Sequence, residues 1–182
     1  TASNNTAIGR AALQSNTTGG ANVAVGKDAL KSNTTASNNT AVGYQSQELT
    51  TTGASNTSVG LHSLRLNTTG NSNTGLGVSA LQNNTTGTQN AAVGMNAMRD
   101  NTTGGSNIAF GEGAFISNTT GSQNVALGRL SMFFNTTASN NTAVGYGSLY
   151  ANTTAADNVA MGYKALYTNT TGAENTALGS FA

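Results

Sequence analysis

The stretch Asn141-Thr142-Ala143-Val144-Gly145 is one copy of a unit that recurs along the whole chain. Each copy begins with an asparagine, and the copies follow one another with a 17-residue period, without a gap or an insertion. A glycine always ends the five-residue stretch that this asparagine begins. We call each unit a rung and number its residues as slots 1 to 17, starting at the asparagine. The asparagines of slot 1 are Asn5, Asn22, Asn39, Asn56, Asn73, Asn90, Asn107, Asn124, Asn141, Asn158 and Asn175.

Slots 2 to 4 carry the pattern of a short β-strand. Slot 2 holds Thr, Val, Ile or Ala, slot 3 is small, and slot 4 never holds a polar residue. Because side chains alternate along a strand, slots 2 and 4 share one face. We therefore expect slot 4 to form a core column that points at a common interior. The column comprises Ile8, Val25, Val42, Val59, Leu76, Val93, Phe110, Leu127, Val144, Met161 and Leu178.

The other slots predict turns and a second apolar column. Slot 9 is apolar except at Gln47, and slots 12 to 15 read Asn-Thr-Thr-Gly with few exceptions. No stripe of helical period runs through the unit, and its Gly and Asn content disfavours helix. We expect two short strands and two turns per rung, stacked into an all-β solenoid (β-roll) of about ten 17-residue coils. The asparagines of slots 1 and 12 are expected to form amide ladders along the stack.

Composition narrows the classes of function. Only 7% of the residues are charged and the net charge is +1, which argues against nucleic-acid binding and against a basic membrane-surface patch. The chain has no Cys, so disulfides and thiolate metal sites are excluded. Polar low-complexity sequence is often disordered, but disorder does not require an aliphatic residue at one slot of every unit. We interpret residues 1–182 as a single repeat array and as a fragment of a longer fibre.

The thinness of one rung predicts a multimer. Two large apolar side chains per rung bury little surface compared with the conformational entropy lost on ordering the rung. A rung gains more if its slot 4 column packs against the same column of other chains in a parallel bundle. Closed cyclic symmetry is the usual arrangement of homo-oligomers, and we predict a parallel homotrimer with a shared apolar axis.

Two forms of the unit resemble known repeats. Asn22-Val23-Ala24-Val25-Gly26 and Asn124-Val125-Ala126-Leu127-Gly128 resemble the head repeats of trimeric autotransporter adhesins. The longer form, Asn141 to Tyr146 with Asn152 to Thr154, is similar to arrays in bacterial surface proteins and phage tail fibres. The resemblance covers essentially the whole chain. It implies a trimeric left-handed β-roll in which slots 2 and 4 face the shared core and the loops face outward.

No constellation of residues suggests an enzyme, a cofactor or a metal site. His62 is the only His, stands at a variable slot and has no repeated acidic partner, so we interpret it as an exposed loop residue. The six acidic residues form no column that could bind calcium. The Asn-Thr-Thr copies match the acceptor pattern for N-linked glycans, but ladder and turn roles are favoured. Neighbouring Thr columns suggest ice binding, although only one of two adjacent columns can face outward.

An aromatic cluster in the last third of the chain is a candidate surface binding strip for glycans or a protein partner. Packing between chains explains it equally well. We expect a structural segment of an extracellular fibre or stalk, on a cell surface or a virion, that serves adhesion or host attachment. The alternative is a self-standing solenoid that binds glycans or ice. The strip comprises Phe133, Phe134, Tyr146, Tyr150, Tyr163 and Tyr167.

Overall fold

The computed structural model describes residues 2–182, and this part of the chain contains eleven three-residue strands and no helix. Each strand occupies slots 2 to 4 of its rung, where β-branched residues suit extended backbone. The strands are β1 (Thr6–Ile8), β2 (Val23–Val25), β3 (Thr40–Val42), β4 (Thr57–Val59), β5 (Thr74–Leu76), β6 (Ala91–Val93), β7 (Ile108–Phe110), β8 (Val125–Leu127), β9 (Thr142–Val144), β10 (Val159–Met161) and β11 (Thr176–Leu178).

The strands form one parallel sheet in chain order, from β1 to β11. Every strand pairs with the next in register, so that each residue lies beside the residue at the same slot of the next rung. Thr6 pairs with Val23 at one end of the sheet, and Val159 pairs with Thr176 at the other. This register confirms the predicted all-β solenoid of about ten coils with one 17-residue rung per coil.

The expectation of two strands per rung is wrong, because each rung has only one. After the strand, the backbone enters the left-handed region at slots 7 and 9, and again at slot 17. In one rung these residues are Asn96 (φ 57°), Met98 (φ 49°) and Ser106 (φ 58°). A strand needs consecutive extended residues, whereas alternation with left-handed ones turns the chain back on itself. Slots 6 to 9 therefore form a corner of the coil instead of a second sheet.

Slots 3 and 9 fill the interior of each rung, and slot 4 lies outside it. Ala109 of β7 is fully buried, whereas Ile108 and Phe110 on either side are 45% and 56% exposed. The slot 9 side chain of the same rung, Phe115, is fully buried. It takes the space at the centre of the narrow coil, so only a small residue fits beneath it at slot 3.

In the single chain, the expected core column lies on the outer face of the sheet, half-buried or exposed, and not inside the rung. Its contact with the same column of other chains stays a prediction. The column comprises Ile8, Val25, Val42, Val59, Leu76, Val93, Phe110, Leu127, Val144, Met161 and Leu178.

A polar slice divides the apolar interior into two clusters. One cluster surrounds Leu30, and the other runs from Leu64 towards the last rungs. Between them Gln47 occupies slot 9, and it is fully buried together with Ser58 at slot 3. The Nε2 of Gln47 donates to the Ser58 hydroxyl at 2.9 Å, while its Oε1 has no partner within the described residues. An unpaired buried acceptor reduces stability, so this slice is a weak point of the stack.

Restoring the repeat in this slice is expected to stabilise the array. The double variant Gln47→Leu with Ser58→Ala removes the unpaired Oε1 and joins the two apolar clusters, while the Ser46 hydroxyl, which loses the Ser58 hydroxyl, keeps the backbone carbonyl of residue 58. The free energy of unfolding should rise by about 1–3 kcal/mol in urea titrations followed by circular dichroism. The control Gln123→Leu makes the same change at an exposed position, slot 17, and should leave stability within about 1 kcal/mol. A lower unfolding midpoint for the double variant would contradict this account of the slice.

Candidate interaction surface

The outer face of the sheet is a continuous surface built from slots 2 and 4. With strands spaced about 4.8 Å apart, its eleven strands span roughly 48 Å along the axis of the solenoid. None of the side chains at these two slots carries a charge, and the whole slot 4 column is apolar. A single chain leaves this face uncovered along its entire length. Such a long uncharged strip is typical of a surface that contacts a partner.

The apolar surface widens beside the middle strands. Slot 6 follows the glycine that ends each strand, and in four successive rungs it holds an apolar or aromatic residue. These side chains are all 40% or more exposed, and they are Tyr44, Leu61, Val78 and Met95. Elsewhere the same column carries charges, including Lys27 and Arg129. The edge of the face therefore alternates between apolar and charged segments along the axis.

The slot 1 asparagines link the successive strands of this face. The Oδ1 of Asn107 accepts a hydrogen bond from the backbone N–H of Asn124 in the next rung at 2.9 Å. Its Nδ2 donates to the carbonyl of Gly121 at 2.8 Å, which ties the start of the strand to the Thr-Thr turn. The backbone link recurs between every pair of successive rungs from Asn5 to Asn175. The predicted amide ladder at slot 1 is confirmed, and it lies inside the coil.

The Asn-Thr-Thr turns expose one Thr column and bury the asparagine. The slot 12 side chain of Asn101 is fully buried, and its Nδ2 donates to two oxygens of the interior. A glycosylating enzyme could not reach this nitrogen in the folded chain. The slot 13 hydroxyl of Thr102 donates to the carbonyl of Thr119 in the next rung at 2.9 Å. Slot 14 is exposed, as at Thr103, so the turn offers one outward Thr column.

The aromatic strip forms two stacked columns. At slot 10, Tyr150 stacks on Tyr167 with ring centroids 4.8 Å apart and 7° between the ring planes. At slot 6, Tyr146 stacks on Tyr163 at 5.4 Å and 13°. The Nζ of Lys164 lies 5.4 Å from the Tyr163 ring and 4.9 Å from the Tyr167 ring, and so bridges the columns. The remaining two rings extend the slot 10 column, since Phe133 stacks on Tyr150 and Phe134 meets both edge-on.

This stacking changes what the strip can bind. A sugar ring that stacks on an aromatic side chain needs the flat face of that ring. In the two columns these faces are largely covered by the next ring along the axis, which leaves edges and hydroxyl groups towards solvent. The strip therefore stabilises successive rungs through aromatic pairs, each contributing about 0.5–1.5 kcal/mol.

Several charged side chains form local ion pairs, in which the carboxylate can be buried, as at Glu48. Glu48 pairs with Arg65 one rung later at 2.7 Å. The hydrogen bonds that the Arg99 guanidinium donates to the Asp100 carboxylate raise the pKa of Arg99 above its ordinary value. His62 packs against the ring of Tyr44 at 5.6 Å, and it is half-buried rather than exposed. Within residues 2–182, no group of three His, Asp or Glu side chains could hold a metal ion, and no helix could cross a membrane.

Two features of the structure were not predicted from sequence. One is the apolar extension at slot 6, a slot to which the sequence assigned no role in the middle rungs. Its signal was the run of four apolar or aromatic residues in successive rungs. The other is the polar slice in the interior: the sequence showed that Gln47 breaks the slot 9 column, but not that Ser58 lies against it.

Comparison of the chain with protein-family models, with curated proteins and with solved structures finds no match.

Proposed function

We propose that the chain is a structural, non-enzymatic segment of an extracellular fibre, in which three parallel copies pack through the outer faces of their sheets. The observation that supports this proposal is the uncharged face of slots 2 and 4, which stays uncovered over eleven strands. In the bundle, the slot 4 column would become the shared apolar axis.

A second copy of this chain suits the face better than an unrelated partner. A parallel copy in register repeats the same rung spacing, so every slot 4 side chain meets an equivalent side chain along the whole length. The face carries no charge, so pairing identical surfaces brings no like charges together. Around a threefold axis, each narrow face contacts two neighbours and none remains open, in keeping with closed symmetry. The fibre role, in adhesion or host attachment, rests on this rigid elongated form.

Ice binding is the second candidate, because several strands present Thr at slot 2 and Val at slot 4 in two outward columns. β3 and β9 are examples, with Thr40 and Val42, and Thr142 and Val144. A surface that matches a crystal lattice needs side chains of uniform size. The slot 4 column varies from Val93 to Phe110 in successive strands, which suits packing against another protein better.

The test is the mass of the chain in solution by light scattering, with a variant that charges the face. The parent should have the mass of three chains. The double variant Val93→Glu with Leu127→Glu should have the mass of one, because carboxylates would be buried without partners at the axis. Its circular dichroism should remain that of the parent, since both side chains lie outside the rung.

The matched control places the same charges on the Thr-Thr turn, away from the outer face of the sheet. Thr103→Glu with Thr137→Glu changes two exposed threonines of the slot 14 column and should keep three chains together. A monomeric parent would overturn the bundle, and thermal hysteresis of that monomer in ice-growth assays would support the alternative.

A further inference from the structure

The slot 12 asparagines form a second ladder in the interior. Between Asn16 and Asn33, and from Asn67 to Asn118, each Nδ2 donates to the Oδ1 of the slot 12 residue one rung earlier, as from Asn84 to Asn67 at 2.8 Å and from Asn101 to Asn84 at 2.7 Å. The same nitrogen also donates to the slot 15 carbonyl of its own rung, as from Asn84 to Gly87 at 3.0 Å. Thr50 occupies slot 12 of the rung that starts at Asn39. It has no carboxamide, so it can make neither of these two bonds.

Two buried oxygens are left without partners at this interruption. The Oδ1 of Asn33, one rung before Thr50, would accept from a carboxamide at slot 12 of the next rung. Neither it nor the hydroxyl of Thr50 has a hydrogen-bond partner within the described residues. Both residues are fully buried, where a polar group without a hydrogen bond reduces stability.

Two further groups at the interruption can each form one more hydrogen bond. The Nδ2 of Asn67, one rung after Thr50, donates only to the carbonyl of Gly70, so one of its two hydrogens is unused. The carbonyl of Gly53 accepts only from Asn39, whereas that of Gly70 accepts from two side chains. The interruption is therefore lined by two acceptors, one amide donor and one hydroxyl.

This interruption differs from the other unpartnered atoms of the same column. Those are the Nδ2 of Asn135 and the Oδ1 of Asn152, a donor and an acceptor in successive rungs, which a small rotation would allow to pair. Thr50 has one hydroxyl on a shorter side chain, and in this structure it pairs with neither Asn33 nor Asn67.

We propose that one water molecule binds at this interruption and takes the place of the missing carboxamide. The water accepts from Asn67 Nδ2 and from the Thr50 hydroxyl, and it donates to Asn33 Oδ1 and to the carbonyl of Gly53. Two donors and two acceptors match the full hydrogen-bonding capacity of water, and buried waters typically make about three such bonds. The Thr50 side chain is shorter than the asparagine of other rungs and does not bridge Asn33 and Asn67, which stand two rungs apart.

The set of groups discriminates against other small ligands. A metal ion would meet the N–H hydrogen of Asn67, which repels a cation. An ammonium ion has four donors and no acceptor, so it cannot receive that hydrogen bond. Water is therefore the ligand that the four groups fit.

Crystal structures of the parent and of Thr50→Asn test the proposal, together with oxygen-17 magnetic relaxation dispersion, which counts long-lived internal waters. The parent should show one water within hydrogen-bond distance of Asn33 Oδ1, Thr50 Oγ1 and Asn67 Nδ2. In Thr50→Asn the new carboxamide should occupy that position, one long-lived water should be lost and the melting temperature should rise. The control Thr52→Asn makes the same substitution at an exposed position, slot 14, and should keep the parent's number of waters.

Three results would overturn the proposal. The first is a parent structure in which Thr50 bonds directly to Asn33 and leaves no space between the rungs. The second is density with the short contacts of a metal ion. The third is an unchanged number of long-lived waters in Thr50→Asn.

Discussion

Gly94→Ala is expected to destabilise the array by about 3–5 kcal/mol, the combined effect of backbone strain and of overpacking. Gly94 ends β6 with φ at +129°, a conformation that residues with a side chain rarely adopt. A Cβ there would lie 2.6 Å from the carbonyl oxygen of Gly111 and 2.7 Å from its carbonyl carbon, in the next rung. The backbone of this next rung cannot move away without losing its own hydrogen bonds to the neighbouring rungs. Urea unfolding followed by circular dichroism measures the loss.

Gly105→Ala is the matched control for this substitution. Gly105 stands at slot 16 with an ordinary φ, and a Cβ there would come within 3.1 Å of the Thr88 carbonyl oxygen and stay farther from every other atom. Other rungs carry alanine at the same slot, as at Ala54 and Ala156. Its unfolding midpoint should stay close to that of the parent. Equal midpoints for Gly94→Ala and Gly105→Ala would refute the requirement for glycine at slot 5.

Asn107→Ala is expected to destabilise the array by about 2–4 kcal/mol, since it removes one asparagine from the slot 1 ladder and leaves a buried backbone N–H unpaired. The N–H of Asn124 would lose its acceptor, and the carbonyl of Gly121 would keep only Asn118 Nδ2 as a donor. The unpaired N–H cannot reach water in the interior. Urea unfolding gives the stability, and amide hydrogen exchange should show lost protection at Asn124.

Asn140→Ala provides the comparison for this ladder variant. Asn140 is exposed at slot 17 with φ at 61°, and Ala21 holds the same slot in another rung with φ at 55°. We expect a loss of no more than about 1 kcal/mol and unchanged exchange at Asn124. If Asn107→Ala were equally mild, the ladder would contribute little to the stability of the fold.

The sequence predicted the 17-residue rung, the parallel all-β solenoid and the slot 1 ladder, because each depends on a column that repeats without a gap. It also placed slots 2 and 4 on one face of the strand. It could not decide which face points inward, since Ala109 and Phe110 are both apolar. Because Phe110 is the larger of the two, we assigned it to the interior. The interior already contains Phe115, however, and accepts only alanine beside it.

The candidate site was less predictable than the fold. Outward apolar columns are recognised only once the inward ones are known, so the face around Val93 was first assigned to the interior. Likewise, Gln47, Thr50 and Ser58 were separate irregularities in sequence. Stacking in three dimensions brings them to the same slice, where their polar atoms share one narrow core.

The ladders that join one rung to the next consist of carboxamides, hydroxyls and peptide groups. None of these groups gains or loses a proton in acid or alkaline surroundings, and dissolved ions barely screen neutral dipoles that are buried. Only surface ion pairs, such as Glu112 with Arg129, would weaken in brine. Cohesion along the axis should therefore persist in seawater, in gastric acid or in soil alike.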